Sequence, residues 1–96
     1  HAALILGDML ELGEDSQKEH REILKIVSDM NVEKLFFVGN EFARALPSFK
    51  ELSLKSKNFP TSSELRNYLL SNPLAGYTIL IKGSRGIAVE KVIDAL

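Results

Sequence analysis

The sequence predicts an α/β fold built on a mainly parallel sheet. Short apolar segments that end in glycine or a charged residue alternate with segments of helical periodicity. The apolar segments are continuously hydrophobic, which is typical of strands that are covered on both faces and pair in parallel. Because crossovers between parallel strands are short and right-handed, this alternation indicates a doubly wound, Rossmann-like sheet of about four strands. We expect the strand order 3-2-1-4, with helices on both faces.

The first half of the chain contains two predicted strands, at residues 3–6 and 34–39. An acidic loop at residues 8–15 separates the first strand from a long helix. Ser16 and Glu19 have the spacing of a capping box, which predicts that the helix begins there. It should extend to about residue 31, with one apolar face. That predicted face consists of Ile23, Ile26, Val27 and Met30.

The middle of the chain contains the shortest predicted elements. Asn40 is expected to cap a short helix at residues 41–46, which Pro47 ends. Residues 48–56 are polar and are predicted to be irregular. A short third strand is expected at residues 57–59.

The last third of the chain repeats the pattern. Thr61 and Glu64 form a second capping box and predict a helix that extends to about residue 70. A turn leads into the fourth strand at residues 77–82. A final helix is expected from Gly86, and its predicted apolar face consists of Val89, Val92, Ile93 and Leu96.

Composition excludes several classes of function for this 96-residue chain, which we interpret as one domain. A net charge of −1 gives no overall basic field to attract nucleic acid. No apolar run approaches the roughly 20 residues of a membrane helix. Without cysteine there are no disulfides and no thiolate nucleophiles, and two histidines make a metal site improbable. The phosphate-binding motif of nucleotide hydrolases and the glycine-rich dinucleotide fingerprint are both missing.

Charged residues follow the first and the last predicted strands. Asp8 follows the first strand, and the loop Lys82–Gly83–Ser84–Arg85 follows the fourth. In the order 3-2-1-4 these strands are neighbours at the point where ligands bind to open α/β sheets. The two cations and the amides that begin the final helix can bind a carboxylate, while Asp8, or Glu11 or Glu14 from the acidic loop, can bind an ammonium group. The sequence therefore predicts a site for a small charged molecule.

Each of these residues also has a purely structural interpretation. Asp8 can be a turn or capping residue, Lys82 can be a solvated strand end, and the glycines can serve only to form a tight turn. His20, inside the long helix, is more typical of a boundary residue than of a catalytic base. Ser84 has no histidine and carboxylate arrangement to activate it, so we reject it as a nucleophile.

Two segments of the sequence resemble the C-terminal domain of the Mur ligases. They are LILGDMLELGEDSQKEHREI at residues 4–23 and LIKGSRGIAVEKVIDAL at residues 80–96. Both are long, and they occur in the order and spacing of that family, particularly of its members that add D-alanyl-D-alanine. The resemblance covers essentially the whole chain, although residues 31–75 match in layout rather than in motif.

The resemblance implies a fold, an activity and a set of partners. Mur ligases are cytoplasmic three-domain enzymes in which a central ATPase domain uses ATP and Mg²⁺, and the third, Rossmann-like domain brings the incoming amino acid or dipeptide. The members in question join D-alanyl-D-alanine to UDP-N-acetylmuramoyl-tripeptide through an acyl phosphate, in peptidoglycan precursor synthesis. We expect a monomer without a nucleic-acid or membrane partner, and no cofactor or metal bound to this chain itself.

The resemblance also implies roles for individual residues. Lys82, Ser84 and Arg85 would face the carboxylate of the dipeptide or the negative charge that develops during the reaction. Asp8 would orient the amine, and His20 would support the acidic loop. Supporting positions are Glu11 and Asn40, and no residue of this chain is assigned as catalytic.

The sequence departs from the family pattern at its beginning. The segment resembling Tyr-Asn-Ala-Asn-Pro that normally begins the third domain is missing, as are the ATP loop and the carbamylated lysine of the central domain. We therefore expect a third domain truncated at its N-terminus and inactive when alone. One alternative is a non-catalytic Rossmann-like module that binds a small anion or a protein. Another, a ligase that adds glutamate, is disfavoured by the Lys-Gly-Ser-Arg-Gly loop.

Overall fold

The computed structural model of the chain describes residues 1–83, and at residues 10–12 it describes the main chain alone. Four strands alternate with helices. The strands are β1 (Ala2–Gly7), β2 (Lys34–Val38), β3 (Ser56–Phe59) and β4 (Thr78–Lys82). The helices are α1 (Ser16–Ser28), α2 (Asn40–Ala45), α3 (Lys50–Lys55) and α4 (Ser62–Ser71). Two 3₁₀ segments, Leu10–Asp15 and Leu46–Ser48, complete the described elements.

The strands form one sheet in the predicted order, β3-β2-β1-β4, and every pair is parallel. In the registers of β1, Gly7 pairs with Val38 of β2, and Leu6 pairs with Lys82 of β4. The carboxyl ends of β1 and β4 are therefore neighbours, as the sequence predicts. The chain leaves β1 towards β2 and reaches β4 only from β3, so strand order reverses between β1 and β4.

Helices cover both faces of the sheet, which is also as predicted. On one face, α4 packs Leu65 and Leu69 against Ile5, Phe36 and Val38. On the other face, α1, α2 and α3 cover Leu4, Leu6, Leu35 and Phe37 with a second set of buried side chains. That set is Leu24, Val27, Phe42, Ala45, Leu46 and Leu52.

The buried face of α1 differs from the predicted apolar stripe. Leu24 and Val27 are buried, whereas Ile26 is 64% exposed and Met30 is 40% exposed. The buried residues of α1 are Ser16, His20, Leu24 and Val27, so the buried face begins with two polar side chains. The prediction for Ile26 and Met30 was wrong because a buried histidine interrupts the hydrophobic pattern from which the face was identified.

One predicted helix cap is confirmed and two are wrong. The Thr61 hydroxyl accepts a hydrogen bond from the Glu64 amide at the start of α4, at 3.2 Å. Ser16, in contrast, is the first helical residue of α1, and no side chain caps that helix. Asn40 likewise lies within α2, preceded by Gly39. Both polar side chains were misplaced by one position: the Asp8 carboxylate satisfies the start of α2, whereas α1 begins without a side-chain cap.

The middle of the chain is more regular than predicted. Within the stretch that we expected to be irregular, residues Lys50–Lys55 form α3, which buries Leu52 against the sheet. Likewise, the acidic loop after β1 contains the 3₁₀ segment Leu10–Asp15. The final helix predicted from Gly86 lies outside the described residues. None of the helices in residues 1–83 has the length and hydropathy that crossing a bilayer requires.

Candidate functional site at the carboxyl edge of the sheet

Main-chain hydrogen bonds continue past the ends of the strands at the carboxyl edge. The Asp8 amide donates to the carbonyl of Val38 at 2.9 Å, and the Gly39 amide donates to the carbonyl of Phe59 at 2.8 Å. These bonds extend the ladders between β1 and β2 and between β2 and β3 by one position. The segments that follow β1 and β2 therefore start from fixed points rather than as free loops.

The Asp8 side chain caps α2 from across the edge. It is only 2% exposed. Its Oδ2 accepts the Glu41 amide at 2.7 Å, and its Oδ1 accepts the Phe42 amide at 3.1 Å. A carboxylate at a helix N-terminus satisfies amides that have no partner within the helix and interacts favourably with the helix dipole. Of the two interpretations that the sequence left open for Asp8, the geometry corresponds to the capping residue.

This cap depends on a glycine at position 39. Gly39 has φ of 118°, a conformation that other residues rarely adopt. A Cβ atom built there would overlap the Asp8 carboxylate itself. Asp8 and Gly39 therefore form a matched pair, in which the missing side chain of one makes room for the carboxylate of the other.

His20 is fully buried beside this pair, and both ring nitrogens have partners. Its Nε2 accepts the Met9 amide at 3.1 Å, and its Nδ1 lies 2.6 Å from the Ser16 carbonyl oxygen. The Asp8 Oδ1 is 3.9 Å from Nε2. The ring packs edge-on against Phe42, with centroids 4.6 Å apart. Met9 precedes the 3₁₀ segment, so His20 contacts the residue that leads into the acidic loop.

Glu41 collects hydrogen bonds from α1 on the solvent side of the same cluster. Its carboxylate accepts the Ser16 hydroxyl at 2.9 Å, the Gln17 amide at 3.0 Å and the Arg44 guanidinium at 3.1 Å. The Ser16 hydrogen bond lowers the pKa of Glu41 most, burial opposes it, and Gln17 and Arg44 lower it further. These bonds tie the first turn of α1 to the first turn of α2.

Lys82 and Gly83 stand beside this cluster, one strand further along the edge. Both are exposed, and Lys82 lies opposite Leu6 in the register of β4. Among the described residues, they belong to the lining of a cleft of about 260 Å³ whose walls are almost entirely apolar. The cleft walls include Leu6, Met9, Ile23, Ile26, Met30 and Leu80. The exposed Lys82 ammonium group is able to meet an anion, while the apolar walls of the neighbouring cleft accept small aliphatic groups.

The structure brings together part of the predicted site. Lys82 ends β4 and Asp8 directly follows the neighbouring strand β1. The His20 Nε2 atom lies 3.9 Å from the Asp8 Oδ1 atom. Asn40 is exposed as the first residue of α2, and Glu11 is described by its main chain alone. Ser84 and Arg85 lie outside the described residues. Among the side chains that are described, no group of three acidic or histidine residues could hold a metal ion.

The hydrogen bonds around Asp8, His20 and Glu41 form one polar cluster. Sequence reasoning did not assign to it the Met9 amide or the side chains of Ser16, Gln17 and Glu41. A signal for one of them was present, because Ser16 and His20 are four residues apart and therefore share a helix face. The role of Glu41 had no local signal, since its partners lie 24 and 25 residues earlier in the chain.

A parallel sheet in the order 3-2-1-4, with a cation beside its switch point, defines a Rossmann-like α/β domain with a candidate ligand site at the carboxyl edge. Comparisons with known proteins show which proteins the chain is similar to. The chain is 32% identical over 90 residues to UDP-N-acetylmuramoyl-tripeptide–D-alanyl-D-alanine ligase of Rickettsia prowazekii, covering 94% of this chain and 20% of the relative. The namesake enzyme of Buchnera aphidicola is 34% identical over 95 residues, covering 97% of this chain and 20% of the relative.

A solved structure gives the same result. The crystal structure of MurF from Acinetobacter baumannii superposes on 97% of this chain and 21% of its own, with a TM-score of 0.78 and 26% identity. No family model matches the sequence. The chain is a homologue of the C-terminal domain of the Mur ligases, and it spans about a fifth of the length of the curated relatives it matches.

Proposed function

We propose that the chain acts as the substrate-binding C-terminal domain of an ATP-dependent ligase that joins D-alanyl-D-alanine to UDP-N-acetylmuramoyl-tripeptide. The observation that carries the proposal is the match to ligases of this name over 94–97% of the chain. The domain would be the third of the enzyme, acting in the cytoplasm in peptidoglycan precursor synthesis, and inactive when separated from the rest.

The carboxyl edge suits the recognition of a dipeptide zwitterion. The exposed Lys82 ammonium supplies a positive charge for the dipeptide carboxylate, and the apolar cleft beside it accepts methyl groups of the size of an alanine side chain. We include Gly83, Ser84 and Arg85 in this site as the continuation of the same loop. Asp8 contributes indirectly, because its carboxylate holds the start of α2 rather than pointing into the cleft.

The bond-forming step needs the dipeptide amine in its neutral form, with its lone pair directed at an activated carboxyl carbon of the tripeptide. Holding the dipeptide by its carboxylate end leaves the amine free to reach out of this domain. Such a step is accelerated mainly by positioning, since a bound amine and a bound acyl group no longer have to find each other in solution.

The described residues of this chain do not form a site for ATP and Mg²⁺. The sequence has no phosphate-binding loop, and the described side chains offer no cluster of metal ligands. We assign nucleotide binding to the central ATPase domain of the complete enzyme.

Steady-state kinetics of the complete enzyme test the proposal. Lys82→Ala should raise the KM for D-alanyl-D-alanine by about tenfold or more, since losing a charge-assisted hydrogen bond costs roughly 1.5–3 kcal/mol. The KM for ATP should stay unchanged. Lys34→Ala is the matched control, because Lys34 is also exposed but begins β2, at the amino ends of the strands and away from Lys82. Equal effects of the two substitutions on the dipeptide KM would exclude the assigned site.

A binding module without catalysis is the alternative from another class. In that case the complete protein would bind a small anion or a protein partner, and adding D-alanyl-D-alanine would release no phosphate from ATP. The same assay therefore distinguishes the two functions.

A further inference from the structure

His20 has two hydrogen-bonding partners that define the tautomer of its ring. Nε2 receives the Met9 amide hydrogen at 3.1 Å, so this nitrogen carries no proton of its own. The single ring proton of the neutral side chain is therefore on Nδ1, which donates to the Ser16 carbonyl at 2.6 Å. The Ser16 hydroxyl, 3.3 Å from Nδ1, is already donated to Glu41. With both nitrogens engaged and no exposed surface, His20 is unavailable to bind a ligand or to exchange protons with one.

The hydrogen bond from the Met9 amide to His20 links α1 to the residue that connects β1 with the 3₁₀ segment. On its other side, Met9 follows Asp8, whose amide and carboxylate are held by β2 and α2. The Met9 side chain forms part of the lining of the cleft to which Lys82 and Gly83 also belong. A chain of contacts thus extends from the buried ring through the Met9 main chain to the wall of the cleft.

We propose that His20 is a positioning residue for the dipeptide site. By accepting the Met9 amide, it fixes the wall of the cleft at the distance from Lys82 that the dipeptide requires. This inference rests on the proposed function for the identity of the ligand. It differs from a purely structural role in one respect: the acceptor at the Nε2 position matters, rather than the volume of the ring.

Two substitutions separate the acceptor from the volume. In His20→Gln, the side-chain carbonyl oxygen is the same number of bonds from Cα as Nε2, so it can accept the Met9 amide. In His20→Phe, the ring fills the buried space but has no acceptor. A merely space-filling role would make Phe the better replacement, whereas positioning through Met9 makes Gln the better one.

The first measurement uses the 96-residue chain and needs no ligand. We expect His20→Phe to accelerate hydrogen exchange of the Met9 amide by about tenfold relative to wild type, and His20→Gln to restore most of the protection; tenfold corresponds to about 1.4 kcal/mol. The ring nitrogen shifts of wild-type His20 should report a proton on Nδ1. Equal exchange in the two variants, or a ring proton on Nε2, would overturn the hydrogen bond on which the inference rests.

The second measurement uses the complete enzyme. His20→Phe should raise the KM for D-alanyl-D-alanine about three- to tenfold, the range of one ordinary hydrogen bond, with less change in kcat and none in the KM for ATP. His20→Gln should restore it. An unchanged dipeptide KM in active His20→Phe enzyme overturns the inference and leaves the proposed function intact. A wild-type enzyme with no turnover that depends on D-alanyl-D-alanine overturns the proposed function and this inference together.

Discussion

The substitution Gly39→Ala tests the junction between β1, β2 and α2. The added Cβ atom would overlap the Asp8 carboxylate, and φ of 118° is strained for any residue with a side chain. We expect the strain to cost about 1–3 kcal/mol. Displacing the carboxylate weakens two hydrogen bonds to the Glu41 and Phe42 amides, and loss of a helix cap costs a further ~0.5–2 kcal/mol. The total is about 2–5 kcal/mol, against roughly 5–14 kcal/mol of stability for a domain of this size.

Urea unfolding followed by circular dichroism measures this loss. Gly76→Ala is the matched control, because Gly76 also has positive φ, at 81°, but no atom lies within 4 Å of a Cβ built there. It should lower the free energy of unfolding by only about 1–2 kcal/mol, the cost of the left-handed conformation. If Gly39→Ala destabilises the chain no more than Gly76→Ala does, the Asp8 carboxylate does not occupy the space above Gly39 and the described cap is wrong.

Three further predictions concern stability and use the same unfolding assay. Glu41 has a pKa below its ordinary value of 4.5, so its contribution to stability is fully present above that pH and is lost as the pH falls through the lowered pKa. The Glu41→Gln variant should therefore lose less stability than wild type between pH 7 and pH 3. An identical loss would contradict the hydrogen bonds described for the Glu41 carboxylate. Thr61→Ala should cost about 1 kcal/mol by removing the cap on the Glu64 amide, and a cost near zero would show that this cap is dispensable. Leu24→Ala should cost about 2–5 kcal/mol and Ile26→Ala much less, because Leu24 is fully buried and Ile26 is 64% exposed; the reverse order would restore the apolar face predicted from the sequence.

The sheet was predictable because its signals are local. The strands β1, β2 and β4 are short runs of mostly apolar residues ended by glycine or a charge, and such continuous apolar character favours parallel pairing, whereas β3 is mostly polar. Strand order followed from the handedness of crossovers and the usual arrangement of doubly wound sheets. The pairing of Leu6 with Lys82 is the consequence that matters for function, since it places the ends of β1 and β4 side by side.

The polar cluster was only partly predictable because its bonds join distant segments. Asp8 hydrogen-bonds amides 33 and 34 residues away, and Ser16 reaches Glu41 across 25 residues. Local capping rules assigned Ser16 and Asn40 to helix ends that are in fact satisfied by Asp8 or left without a side-chain cap. A tertiary contact can override a local capping preference whenever a charged group from elsewhere reaches the same amides.

The buried histidine explains the misassigned face of α1. Hydrophobic periodicity counts His20 as polar and rotates the predicted face towards Ile26 and Met30, although His20 is fully buried. Those two side chains instead form part of the cleft next to Lys82. A polar residue at a core position therefore had two effects on the prediction. The buried face of α1 was misassigned, and His20, which contacts Met9, was not recognised as part of that face.

The proposed function depends most directly on whether Lys82 contacts the carboxylate of D-alanyl-D-alanine. Calorimetric titration of D-alanyl-D-alanine into the complete enzyme, in its wild-type and Lys82→Ala forms, measures this without relying on turnover. If Lys82 contacts the dipeptide, Lys82→Ala should raise the dissociation constant for the dipeptide by about tenfold or more, while Lys34→Ala should leave it unchanged. Wild-type affinity for the dipeptide in the Lys82→Ala enzyme would contradict it.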